Sequence, residues 1–369
     1  MKKKKKNIDL FFITVIFLLL IFGLVMVYSS SFVEAGEKFS DEGFFLKRQV
    51  LWAVVGMMAM FIVSTIDYHF FIRHSRKFLV FFLILLFIVL MLPESYRVKG
   101  ANRWLSFKYF KIQPSEFIKY VFVWFLAWYF GKSENIVNIG KRIVAPILVF
   151  VVIALTILVQ PDLGTVFVIA FTFFTILFVL GLSYRYLFSI MFTGIVAFVG
   201  AVLVEPYRKN RILAFLNPWA YRYNYGYHII NSLMAVGSGG FLGQGLGLGK
   251  QKFMYLPEPY SDFIFAVLCE ETGFIGAAAV ILLFLILFLR GWYLIKRAPD
   301  LSGFILGLGI LTTITNQALI NMGVVLNMFP TKGLPLPFIS YGGSSLLIIF
   351  INVGIILNIS RYRHETTKD

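Results

Sequence analysis

The sequence predicts an all-α polytopic membrane protein of about ten transmembrane helices, with a long outer loop between the seventh and eighth. Three observations carry this. Hydrophobic residues make up 59% of the chain and charged residues 14%, far from the composition of soluble domains. Mean hydropathy is +0.83. The apolar residues fall in runs long enough to cross a bilayer. Residues 1–369 form one membrane domain, with 205–261 as its extracytoplasmic loop. The net charge of +16 would suggest nucleic acid in a soluble protein. Here much of it lies in short loops between spans, where basic residues set topology, so no nucleic acid is expected. The single cysteine, Cys269, excludes an intrachain disulfide and a cysteine-built metal site.

The apolar core Leu10–Tyr28 is too long for a signal peptide and lacks a small-x-small cleavage site, so it is the first span, with Lys2 to Lys6 in the cytoplasm. Val50–Ile66 is the second span, and Asp67–Lys77 a basic inner turn. Phe78–Leu92 is the third, followed by an outer segment from Pro93 to Ile112. Gln113–Phe130 is the fourth, with Pro114 at a helix start. Ile143–Val159 and Thr165–Leu182 are the fifth and sixth, joined by the tight outer turn Gln160-Pro161-Asp162-Leu163-Gly164. Leu187–Val204 is the seventh. After the long loop come Asp262–Leu289, Leu301–Val325 and Ser344–Ile359. Basic residues at the inner turns put both termini in the cytoplasm.

The outer loops are basic too, with Arg48, Arg103, Lys108, Lys111, Arg208, Arg211 and Lys252 among them. This charge is either a solvated surface against anionic headgroups or a site for an anionic substrate such as a lipid-linked pyrophosphate. The glycine-rich stretch Gly237–Lys250 fails as a nucleotide loop: Gln244 stands at the first required glycine and Gln251 follows the lysine. It is a flexible or close-packed loop over a membrane site. Pro330–Ser345 has too many Pro and Gly for a span and reads as a re-entrant element lining a site.

Several polar residues sit where lipid should be. Asp262 lies where the long loop meets the eighth span. It is either a functional carboxylate or, with Ser261, a helix cap. Glu116 and Lys119 stack on one helix face, with Gln113 a turn outward. They form either a structural ion pair or the wall of a polar cavity. Asp162 alone reads as a turn residue. Glu270 and Glu271 cannot both share the face of Asp262, so one bonds a neighbouring helix. Asn316, Gln317 and Asn321 suit interhelical hydrogen bonding. No histidine, cysteine or carboxylate cluster has zinc spacing, and no G-x-S-x-G elbow exists. Any outer-face chemistry falls to carboxylates and cations.

The motifs resemble the SEDS family, FtsW, RodA and SpoVE, over nearly the whole chain. The matching stretches include Lys47-Arg48-Gln49, Gly100-Ala101-Asn102-Arg103-Trp104, Ile112-Gln113-Pro114-Ser115-Glu116, Gln160 to Thr165, Arg211 to Pro218, Gly243-Gln244-Gly245, Leu256-Pro257-Glu258, Asp262 to Ala266 and Ser340 to Ser345. The loop Lys250–Glu258 and Thr331-Lys332-Gly333 look like the FtsW/SpoVE branch, whereas Leu334–Phe338 looks as much like RodA. Tyr260-Ser261 replaces a familiar His-Thr and keeps one hydroxyl.

The resemblance implies a ten-helix peptidoglycan glycosyltransferase of the bacterial cytoplasmic membrane. It would polymerise lipid II at the outer face, serving division (FtsW-like) or elongation (RodA-like). The implied partners are undecaprenyl-pyrophosphate-linked glycan, a class B penicillin-binding protein and other divisome or elongasome membrane proteins. In the family the aspartate matching Asp262 is the proposed catalytic residue, and the candidate substrate-binding residues are Arg48, Arg103, Lys111, Gln113, Glu116, Lys119, Asp162 and Ser340. Negative charge on the leaving pyrophosphate would be met by these cations, alone or with a divalent cation (Mg or Mn), and no nucleotide is involved. The rivals are a lipid II flippase and a non-catalytic scaffold of the division machinery; a flippase needs a polar path to the inner face, whereas the polar groups crowd outward.

Overall fold

The computed structural model describes residues 8–92, 103–106, 111–132, 139–253, 256–330 and 333–362. Helix α1 (Leu10–Phe39) is capped by the Asp9 carboxylate, which accepts the Phe12 N–H. Its 30 residues rise about 45 Å, enough to cross the bilayer and project beyond it. It outruns the expected end at Tyr28, and within the extension Ser30 and Ser31 turn their hydroxyls back onto the carbonyls of Met26 and Val27. Those bonds let serine sit within a helix at low cost. Helices α2 (Phe44–Thr65) and α3 (His69–Met91) likewise begin well before their apolar runs. The turn between them shrinks to three residues. Hydropathy marks the lipid-facing stretch of a helix, whereas backbone hydrogen bonding continues into the interface.

A small antiparallel pair follows, β1 (Leu105–Ser106) and β2 (Lys111–Ile112), with Leu105 opposite Ile112 and Ser106 opposite Lys111. Then come α4 (Pro114–Gly131), the short α5 (Ile139–Arg142), α6 (Val144–Val159), α7 (Leu163–Val179) and α8 (Tyr184–Val204). The long loop is largely ordered, with α9 (Pro206–Leu216), a 3-10 turn at Pro218–Tyr221 and α10 (Tyr227–Gly239). The chain closes with α11 (Ile264–Ile295), α12 (Leu301–Val325) and α13 (Gly343–Arg361).

Six of the described helices, α1, α2, α3, α11, α12 and α13, are long and apolar enough to cross a membrane. Shorter apolar helices lie in α6, α7 and α8. With α4 these make the ten expected spans of a multi-pass membrane protein. Protein rather than lipid surrounds α4: nearly every residue from Pro114 to Ala127 is buried. Helices α12 and α13 form the centre, with 78% and 83% of their apolar windows buried, against 22% in α3 and α11. Around them, α2 packs on α13, and α4, α7 and α11 pack on α12.

The end of the bundle that holds the α2–α3 turn is pinned by polar caps. Asp300 caps α12 by accepting the Gly303 N–H at 2.6 Å, and Tyr68 and His69 from the α2–α3 turn donate to its other oxygen. Burial alone would push the Asp300 carboxyl up. Hydrogen bonds from His69, Tyr68 and Gly303 outweigh it and hold the group at about 2. A lowered carboxylate pKa adds stability above the ordinary value of 3.8 that is lost as pH falls through about 2. Asp300→Asn is therefore expected to lower the melting temperature at pH 7, and the gap from wild type should close below pH 3.8. The side chain is 34% exposed, so solvent screening limits the loss to about 1 kcal/mol. Thermal melts of both proteins in detergent across that pH range check this.

Candidate active site

Helix α11 starts at Ile264, and its N-cap, Phe263, makes no side-chain capping bond. Asp262 thus stands one residue before the N-cap position. Its side chain is half-buried. Its own carbonyl accepts a bond from Asn321 Nδ2 at 2.9 Å, and the same nitrogen donates to Leu334 O at 2.6 Å. Asn321 lies about 30 Å up α12 from Leu301 at 1.5 Å per residue, which sets Asp262 at the opposite end of the bundle from the α2–α3 turn. Gly333 backs onto the carboxylate so closely that a Cβ there would come within 2.3 Å of Oδ2. Ser261 Oγ lies 3.3 Å from Oδ1.

The segment 333–342 is the floor of this site. Leu334, Leu336, Phe338 and Ile339 are buried. It passes so close to α1 that a Cβ on Gly23 would lie 2.5 Å from Phe338 O. Irregular backbone at this depth is tolerated because protein surrounds it and satisfies its polar groups, as expected for a re-entrant element. Ser340 Oγ accepts the Leu336 N–H at 2.7 Å and donates to Ser261 O at 2.6 Å. The Tyr341 N–H donates to Tyr260 O at 2.9 Å. Gln49 on α2 clamps the end, donating to Ser340 O at 3.0 Å and accepting the Gly342 N–H at 3.2 Å.

Beneath the floor lies the ion pair. Lys119 Nζ is 2.9 Å from Glu116 Oε1 and 2.6 Å from Gln317 Oε1. Gln317 Nε2 then donates to Pro335 O at 2.7 Å. The side chains of Lys119 and Glu116 are 0% and 3% exposed. The pair is sealed, so it does not line an open cavity and reaches substrate only through the backbone it supports.

Two other residues expected at the substrate are also occupied. Ser340 has both functions of its hydroxyl spent on the floor. Asp162 is the N-cap of α7 and holds the Thr165 N–H at 3.1 Å and the Thr165 hydroxyl at 2.8 Å. It is a turn-and-cap residue, and Gly164 beside it abuts Leu334 of the floor. Gln113 is half-buried and donates to Ser115 Oγ at 3.0 Å.

The cations expected at the outer face divide in the same way. Arg103 donates to the carbonyls of Gln160 and Pro161 at 2.8 and 2.9 Å, bracing that turn. Arg208 donates to Leu158 O at 3.0 Å. Lys252 is buried. Arg48 remains exposed, lying over the Phe44 ring at 4.3 Å and near enough to Tyr341 to act on its hydroxyl. Lys111 is exposed on β2, which touches α13. Lys108 lies outside the described residues. The structure therefore gathers Asp262, Arg48 and the floor at one place, with Lys111 and Arg103 on neighbouring elements.

A family profile described as a cell cycle protein, FtsW/RodA/SpoVE, matches residues 9–365. The chain belongs to the FtsW/RodA/SpoVE family. A relative from Bacillus subtilis (strain 168), named stage V sporulation protein E, is 44% identical over 363 residues, covering 98% of this chain and 99% of its own. A Geobacter metallireducens relative, named probable peptidoglycan glycosyltransferase FtsW, is 41% identical over 359 residues, covering 97% and 96%. A solved chain described under structural coordination of polymerization and crosslinking by a peptidoglycan synthase complex superposes with a TM-score of 0.80 at 25% identity, covering 97% and 99%. The rod shape determining protein RodA of Thermus thermophilus shares the fold, with a TM-score of 0.71 at 24% identity, covering 97% and 98%.

In this FtsW/RodA/SpoVE chain, sequence reasoning missed two supports of the site. Gln49 looked like the end of an outer loop, although α2 already runs from Phe44. Asn321 was expected to join helices; it instead ties Asp262 to the floor. Its position one turn beyond Gln317 on α12 was the signal, since residues four apart share a face. Asn321→Leu is expected to leave the carbonyls of Asp262 and Leu334 without this donor. It should cost about 1–3 kcal/mol and lower turnover more than substrate affinity. Melting temperature and steady-state kinetics on one preparation check this.

Proposed function

We propose that the protein is a peptidoglycan glycosyltransferase that polymerises lipid II at the outer face of the bacterial cytoplasmic membrane. The observation that carries this is the half-buried Asp262 carboxylate, held by its backbone and backed by Gly333 of the floor, with exposed Arg48 one residue before the Gln49 that clamps the same floor. The acceptor lipid II presents the 4-hydroxyl of its N-acetylglucosamine. Asp262 takes that proton as the oxygen attacks the anomeric carbon of the donor. The bond from that carbon to the pyrophosphate oxygen breaks, and undecaprenyl pyrophosphate leaves with the electron pair. Arg48 and Lys111 face the growing negative charge. An α-linked donor becomes a β-linked product in one inverting displacement, which needs no second carboxylate as nucleophile.

Among the described residues no group of three or more His, Cys, Asp or Glu could hold a metal ion. A divalent cation here would take most of its ligands from substrate phosphate oxygens, and no step above depends on one. Both termini face the cytoplasm in this reading, a class B penicillin-binding protein is the crosslinking partner, and the chain serves the FtsW/SpoVE side of the family. Purified protein, alone and with that partner, is to be incubated with lipid II in detergent, where transport has no meaning. Glycan strands on a gel are expected; intact lipid II under both conditions would overturn the reading.

A further inference from the structure

Helix α11 is two helices. Gly273 breaks it with φ 64° and ψ −162°, a left-handed φ that suits glycine. The break is filled by the glycine-rich loop. Gln244 and Gly245 donate their N–H groups to the carbonyls of Glu270 and Glu271 at 2.9 and 3.0 Å. Phe274 and Ile275 donate to the carbonyls of Gly240 and Phe241 at 2.9 and 3.3 Å. The backbones are so close that a Cβ on Gly243 would lie 2.2 Å from Glu271 O.

Side chains lock the same junction. The Glu270 carboxylate accepts the Lys250 and Gln251 N–H groups at 2.7 and 3.2 Å. Lys252 Nζ reaches Glu271 Oε1 at 2.6 Å and Ser29 O on α1 at 3.0 Å. Ser29 Oγ donates to the second Glu271 oxygen and accepts the Gly247 N–H. The side chains of Lys252 and Glu271 are 1% and 0% exposed. Between this lock and Asp262 lies only the half-helix Ile264–Thr272, buried throughout as far as Glu271. A buried ion pair is a poor source of net stability, because apolar residues of similar volume often do as well. It does impose one geometry.

We propose that Lys252 and Glu271 are positioning residues, whose pair with Ser29 orients the half-helix Ile264–Thr272 and so aims the Asp262 carboxylate. This rests on Asp262 acting as the base. The pair touches no substrate and works from the far end of the half-helix.

The test is steady-state polymerisation of lipid II by the full chain with its partner, beside thermal melts. Lys252→Met with Glu271→Leu removes both charges. The expected result is a melting temperature near wild type, a kcat reduced roughly 10- to 100-fold and an unchanged KM for lipid II. Lys252→Arg, which keeps the charge, should recover part of the kcat. Wild-type kcat in a folded double variant overturns the proposal. If the double variant does not fold, Ser29→Ala decides, since it leaves both charges paired: a several-fold fall in kcat at unchanged KM supports the proposal and wild-type kcat overturns it. Asp262→Asn is run alongside. If it stays active, the base assignment fails; if it is dead while the Lys252 and Glu271 variants run at full rate, only the positioning role fails.

Discussion

Asp262→Asn should abolish polymerisation while leaving the protein folded. Asparagine keeps the shape of the side chain, and the backbone carbonyl at this position still takes its bond from Asn321. What is lost is the ability to accept a proton. A positioned general base contributes about 100- to 10,000-fold, so product should fall below detection in a gel assay. The melting temperature and co-purification with the penicillin-binding protein should match wild type. Substantial glycan synthesis by the folded variant would remove Asp262 from the chemistry.

The second large effect is expected at Lys119. Replacing it with methionine strands the Glu116 carboxylate in a site where it is 3% exposed. Breaking one side of a buried pair costs about 3–5 kcal/mol, so the Lys119→Met protein should melt much earlier. Adding Glu116→Gln removes the stranded charge and should recover most of that loss. Activity should recover less. Lys119 also holds Gln317 Oε1, which leaves Gln317 Nε2 to grip Pro335 O of the floor. The charge swap Glu116→Lys with Lys119→Glu meets the same obstacle, because a carboxylate at 119 attracts the amide nitrogen that Pro335 uses. It should restore part of the folding and little of the turnover. Melts and polymerisation rates for the singles, the double and the swap measure both. Wild-type stability in the single variant would show that the pair is not buried in the working protein.

The two sets of variants separate roles that the residue list alone runs together. Asp262 is only half-buried. Glu116, Lys119, Asp162 and Ser340 stand behind the surface and shape it. Asp262, Glu116 and Lys119 were legible as polar residues against apolar runs, which are costly in a membrane, whereas Asp162 read as a turn residue and Ser340 was named only through the family resemblance. A sequence shows that cost but not which direction the side chain faces. Lys119 could have lined water or met Gln317. The answer depended on α12, almost 200 residues away in the chain.

The spans, their number and the re-entrant segment after α12 were determined by the sequence itself. Bilayer thickness sets the length of an apolar run, and proline and glycine forbid a helix through 330–342. The same holds for Asp262, a carboxylate at the mouth of a span. Only the tertiary structure decided that α11 breaks at Gly273, that the glycine-rich loop fills the break, and that Lys252 is buried on Glu271 rather than free to meet an anion. The physical reason is the range of the interactions. Hydropathy and turn chemistry act over a few neighbouring residues, whereas a broken helix persists only when distant backbone supplies the hydrogen bonds it has lost.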